Sequence, residues 1–235
     1  MASVYVLQHI YCETSGIISG CLETEGVIAD SIRTFEGKPI PQSMANASGL
    51  IVMGGPMSVY DQAQFPFLLA EQRLIEQALN DGKPVLGVCL GSQLLATTLG
   101  VEVKSGVQKE IGWHPVTLTE SADTDALWKD LPAQFTAYHW HGDVFDLPHG
   151  AVSLAASECT PCQGFRYGEN AYGFLFHMEV TEQIIKNMVV EFEEELKAEA
   201  IAAESIIPKI KDYLSKLQAI GGEVFGRWVK SLKPS

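Results

Sequence analysis

The sequence is short of positive charge. Sixteen Lys and Arg stand against 29 Asp and Glu, a formal charge of −13. A surface of that sign repels phosphate backbones and anionic lipid heads, so neither nucleic acid nor a membrane is expected as a partner. No apolar run is long enough to span a bilayer, and Met1-Ala2-Ser3-Val4 is not a basic stretch leading into a signal-peptide core. A soluble cytoplasmic protein is expected. The five cysteines are an odd number in a long chain, which argues against a disulfide framework. Also missing are a G-x-x-x-x-G-K-[ST] loop to cradle phosphates, an internal repeat and a low-complexity linker.

What is present is a globular composition. With 235 residues, 46% of them hydrophobic and 19% charged, the chain can bury one substantial core and carry an appendage. The stretch from Gly82 to Ala96 organises it. Pro84 to Val88 is a short apolar run, as in a strand buried on both faces of a parallel sheet. From Leu90 onward Leu94, Leu95, Thr98 and Leu99 fall at helical spacing, and Gly100 ends the helix. Cys89 therefore sits on a strand-to-helix turn, with Gly87 and Gly91 relieving the crowding. The helix N-terminus favours a thiolate there. A cysteine between two glycines can also be an inert core residue.

Around this turn the pattern alternates strand and helix. Val4–Leu7, Val27–Ile32 and Gly49–Met53 read as strands, with helices beginning near Gly16 and near Pro66. Such alternation implies a parallel sheet covered on both sides. Gly49–Met53 ends in Gly54-Gly55-Pro56, a candidate source of a backbone N–H for an oxyanion. The middle of the chain changes to short strand-like segments: 111–116, 135–139, 152–155 and 164–167, an antiparallel extension of the sheet. Ala171–His177 is the last strand expected, and Thr181 caps the helix after it. Amphipathic helix is then predicted over about 200–219, kinked or broken by Pro208, and again over 222–232. The acidic residues Glu191, Glu193, Glu194, Glu195, Glu199 and Glu204 read as a solvated helix face. The expected architecture is a three-layer, flavodoxin-like α/β domain over 1–192, with a helical extension over 193–235 packed on the core or on another subunit.

A thiol nucleophile needs a base, and the base an orienting partner. Of the six histidines, His177 is the best placed, because Glu179 two residues on points to the same side in an extended chain. His139 and His141 form an His-x-His pair of the kind that holds metals, but the sequence supplies no convincing third ligand, so no metal is expected. Cys159-Thr160-Pro161-Cys162 matches C-x-x-C in form and reads as a loop with two thiols.

The segments Gly87-Val88-Cys89-Leu90-Gly91-Ser92-Gln93 and Phe176-His177-Met178-Glu179 together resemble the class I, or triad, glutamine amidotransferases. The likeness is nearest to the glutaminase domain of GMP synthase and its stand-alone relatives. Segments 53–60, 110–113, 139–143 and 163–167 add to it in the same order, so that it covers roughly residues 4–192. The resemblance implies that Cys89 attacks the glutamine carboxamide, that His177 moves protons and that Glu179 orients His177. It also implies an oxyanion hole from the N–H groups of Gly55 and Leu90, and a grip on the amino-acid end of the substrate by Gln93, Gly142 and Asp143. No cofactor is implied.

Leu175 and Met178 depart from the family's Gln-Phe-His-Pro-Glu, which bears on substrate and rate more than on mechanism. The expected function is release of ammonia from glutamine, either for a synthetase working in trans or as a free-standing hydrolase of γ-glutamyl compounds. A non-catalytic partner protein of the same fold is the rival of a different class. In a subunit serving a synthetase, a peptide flip at Gly54-Gly55-Pro56 would switch off an oxyanion donor until the partner arrives, and the acidic tail is the candidate contact surface.

Overall fold

The computed structural model describes residues 2–232; Met1 and the last three residues of the expected extension lie outside them. Among the described residues, nine strands form one sheet in the order β2-β1-β3-β4-β9-β8-β7-β5-β6. The parallel half consists of β1 (Ser3–Gln8), β2 (Ile28–Arg33), β3 (Gly49–Val52), β4 (Val85–Val88) and β9 (Ala171–Phe174). The antiparallel half adds β8 (Gly164–Tyr167), β7 (Ala151–Ala156), β5 (Val103–Leu118) and β6 (Gln134–Phe145). A parallel sheet with an antiparallel extension is therefore what forms.

The sheet is apolar on both faces, and successive residues of a strand serve different layers. Val4 and Val6 of β1 face the cluster built with α1 (Ile17–Thr24), α4 (Glu182–Glu191) and α6 (Ile210–Lys230). Tyr5 and Leu7 face the cluster built with α2 (Phe67–Asn80) and α3 (Leu90–Thr98). Thr181 caps α4 as its sequence predicts, its hydroxyl accepting from the Ile184 N–H at 3.3 Å.

Three expectations are corrected. The last strand ends at Phe174, not His177, because the His177 N–H leaves the ladder and donates to the Tyr138 carbonyl at 2.8 Å. The strand at 111–116 is part of the 16-residue β5, whose first half is mostly exposed and polar and so carries no apolar alternation. After α5 (Glu193–Ala198) and two short 3-10 turns, α6 runs unbroken across Gly221-Gly222. Pro208 lies in the turn before α6, where its missing N–H costs nothing. Gly221 allows close packing instead of a break: a Cβ there would lie 2.8 Å from the Met178 carbonyl oxygen.

The α6 part of the tail packs on the core. Leu217, Val224, Phe225, Trp228 and Val229 of α6 are buried in the same cluster as the sheet. Trp228→Ala should cost about 3–5 kcal/mol of folding stability, read as a lower urea midpoint at unchanged slope. A chain cut after Phe192 should not fold to a soluble protein.

Candidate active site

Four parallel strands deliver the site. The order of connection reverses beside β1, and segments leaving the carboxyl ends of β1, β3, β4 and β9 converge there. β4 hands over to α3 at Cys89, whose backbone is held at φ 50° and ψ −110°. An L-residue rarely adopts that conformation, and such strain concentrates at functional positions. The glycines on either side make the turn feasible. A Cβ on Gly87 would lie 2.5 Å from the Gly91 carbonyl oxygen, and one on Gly91 would lie 2.0 Å from that of Val52.

Cys89 lines a cleft of about 120 Å3 together with Glu13, Gly55, Gln93, Trp140, Asp143 and Glu195, among others. Its thiol donates to the Trp140 carbonyl at 3.6 Å. His177 and Glu179 are buried behind it. Glu179 Oε1 lies 2.7 Å from His177 Nδ1, and Nε2 on the other side of the ring has no hydrogen-bond partner among the described residues. The pairing expected across positions 177 and 179 is thus present, although the strand has already ended.

The electrostatics correct one expectation. Burial pushes the Cys89 thiol up; His177 and the Leu90 N–H pull it down, and Glu13 adds to the rise. The net direction is upward, so the helix N-terminus does not by itself yield a resting thiolate. For His177, burial lowers the pKa, but the Glu179 carboxylate and the Cys89 sulfur more than offset it, and the ring is held well above the usual histidine value. A ring so strengthened can accept a proton from a neighbouring thiol.

The other expected residues fall nearby. The Leu90 side chain lies 3.2 Å from the point a Gly55 Cβ would occupy, so the two expected oxyanion residues adjoin. Gln93 Nε2 donates to the Asp143 carbonyl at 3.4 Å. Gly142 backs onto Lys109, whose Cγ a Cβ would meet at 2.8 Å.

His139 and His141 do gain a third group, which the sequence reading did not find. Ligand atoms of Glu110, His139 and His141 lie within 4.8 Å of one another, all buried. These three could hold a cation, yet the Glu110 Oε2 already accepts from Thr160 Oγ1 at 2.6 Å and Gln163 Nε2 at 2.8 Å. Burial lowers His139 well below the usual value and His141 to about 4, so both rings are neutral. Cys159 and Cys162 are free thiols in the β7–β8 loop.

Several site residues escaped the sequence. Glu13 is buried against His177 and Glu179 with no partner for its Oε2 among the described residues, and burial pushes it up to about 7. Glu195 is half-buried and engaged: Lys109 Nζ donates to its Oε1 at 2.7 Å and Trp140 Nε1 to its Oε2 at 2.8 Å. His9 bridges the Gly54 carbonyl and the buried Glu71, each at 2.9 Å.

Comparison with known proteins fits this geometry. The family model described as glutamine amidotransferase class-I matches residues 23–193. A putative glutamine amidotransferase-like protein YfeJ of Salmonella typhimurium is 34% identical over 196 residues, 82% of each chain. This chain belongs to the class I glutamine amidotransferases. GMP synthase [glutamine-hydrolyzing] of Latilactobacillus sakei is 37% identical over 134 residues, 56% of this chain but 24% of that enzyme. Two solved amidotransferases share the fold. That of Thermotoga maritima has a TM-score of 0.89 at 31% identity, covering 98% of this chain and 99% of its own. That of Methylobacillus flagellatus has 0.91 at 28%, covering 100% and 97%. The flavodoxin-like class I amidotransferase fold, C-terminal helix included, is that of this chain. No described helix is long and apolar enough to cross a membrane.

Proposed function

We propose that the chain hydrolyses the side-chain amide of glutamine to glutamate and ammonia through a thioester on Cys89. The observation that carries this reading is the free His177 Nε2, opposite the Glu179 contact and beside a cysteine held on a strained turn. In this reading the thiol turns from the Trp140 carbonyl to His177 Nε2 and gives up its proton. Sulfur attacks the amide carbon, and the N–H groups of Gly55 and Leu90 receive the oxyanion. The His177 imidazolium then protonates the leaving nitrogen, the C–N bond breaks and ammonia departs. Water, deprotonated by the same ring, cleaves the thioester and returns the thiol. Gln93, Gly142 and Asp143 hold the amino-acid end.

The cleft of about 120 Å3 suits a small leaving group. Glutamine should therefore be turned over faster than γ-glutamyl peptides, on the order of tenfold or more in kcat/KM, measured as glutamate released. Preference for a peptide would make the chain a γ-glutamyl hydrolase. No glutamate from either would leave a non-catalytic partner protein. Passing ammonia to an acceptor would need a synthetase working in trans.

A further inference from the structure

The Gly54-Gly55 peptide has to face the right way for Gly55 to serve as an oxyanion donor, and something must hold it there. In a trans peptide the C=O and the following N–H point in opposite directions, so fixing one fixes the other. The Gly54 carbonyl accepts from His9 Nδ1 at 2.9 Å. Gly55 lines the cleft, and its N–H makes no hydrogen bond among the described residues. A flipped peptide would turn the carbonyl toward the cleft and strand a buried ring donor.

His9 is itself held. Its Nε2 meets Glu71 Oε2 at 2.9 Å, with both side chains wholly buried. A carbonyl and a carboxylate only accept, so both bonds form together when both ring nitrogens carry hydrogen. The surroundings agree. Burial would lower the pKa of His9, but Glu71, the Gly54 carbonyl and Glu13 raise it overall. Phe67 of α2 stacks on the ring, with centroids 6.1 Å apart.

We propose that the His9–Glu71 pair is a positioning device for hydrolysis, locking the Gly54-Gly55 peptide with the Gly55 N–H toward Cys89. The proposal rests on the glutaminase reading and deepens it. The lock lies within this chain, 62 residues apart in sequence, so no partner is needed to set the oxyanion donor.

The test uses the full chain. His9→Phe with Glu71→Met replaces the pair by apolar groups of similar bulk, an exchange that folded proteins often tolerate. In that variant kcat for glutamine should fall on the order of a hundredfold, the size of losing one oxyanion donor, with KM little changed. Alkylation of Cys89 by iodoacetamide, which forms no oxyanion, should proceed at the wild-type rate. His9→Asn with Glu71→Gln returns an N–H donor near the Nδ1 position and should recover much of kcat. Wild-type kcat in the folded apolar variant would overturn the proposal, as would parallel loss of turnover and alkylation. Nitrogen NMR of the wild-type protein supplies a readout independent of turnover: both His9 ring nitrogens should be protonated at neutral pH, and a bare Nδ1 would overturn the lock. Wild-type protein that leaves glutamine intact would defeat the glutaminase reading, whatever the state of His9.

Discussion

Cys89→Ala should lose glutamine hydrolysis by a thousandfold or more while its thermal transition stays close to wild type. Members of a nucleophile–base unit act together, so losing one costs about as much as losing all. The substitution shortens a side chain at a position whose strained backbone, φ 50°, belongs to the turn and survives the change. None of the other four thiols can stand in. Burial pushes Cys12 and Cys162 up to about 12 and raises Cys21. Cys159, in the β7–β8 loop, receives a hydrogen bond from Gln108 Nε2. A glutamine-like diazo-ketone should therefore label Cys89 alone, and mass spectrometry of the digested adduct would locate it. Label on Cys159 or Cys162, or near-normal turnover by Cys89→Ala, would remove Cys89 from the chemistry.

The parts of this site that could be read in the sequence are those whose physics is local. The elbow declares itself because a buried strand, two close glycines and a helix start occupy ten successive residues. His177 and Glu179 were paired by a spacing of two, and that pairing holds at 2.7 Å even though the strand stops at Phe174. Residues joined across the fold left weaker marks. Glu71 did carry one: it falls three residues after Leu68 and four before Ile75, on the buried side of α2. A carboxylate on an apolar helix face needs a partner, and His9 is that partner. Glu13 lies in a loop without periodicity, and only the converging strand ends reveal where it points. The contacts of Glu195 left no mark, because an acidic run looks the same whether water alone or also Trp140 and Lys109 receive it.

The tail shows the same limit. Gly221-Gly222 reads as a helix stop when propensity is the only guide, since each glycine weakens a helix by about 1 kcal/mol. The surroundings overrule propensity here. Gly221 sits where α6 crosses the Met178 carbonyl, and a side chain would collide. Trp228, just beyond, reaches the core through the unbroken helix.

The second large effect is expected at the base. His177→Asn should be nearly as damaging as Cys89→Ala, and it should also slow alkylation of Cys89, because the thiol then has to ionise against its burial without an acceptor. Glu179→Gln should cost less. Its amide oxygen can still take the hydrogen bond from Nδ1 and keep Nε2 free, but the stabilising negative charge is gone, so the ring falls back toward the value burial alone would set. His139→Asn and His141→Asn should retain thiol reactivity. Both rings are neutral, and at 3.5 Å they face one another within the Glu110 cluster, with His141 also lining the cleft. Comparing kcat/KM for glutamine with the alkylation rate across the four variants separates these roles. If loss of His139 or His141 matched loss of His177, or if a chelator stopped turnover, the Glu110-His139-His141 cluster would have to be holding a cation that the reaction needs.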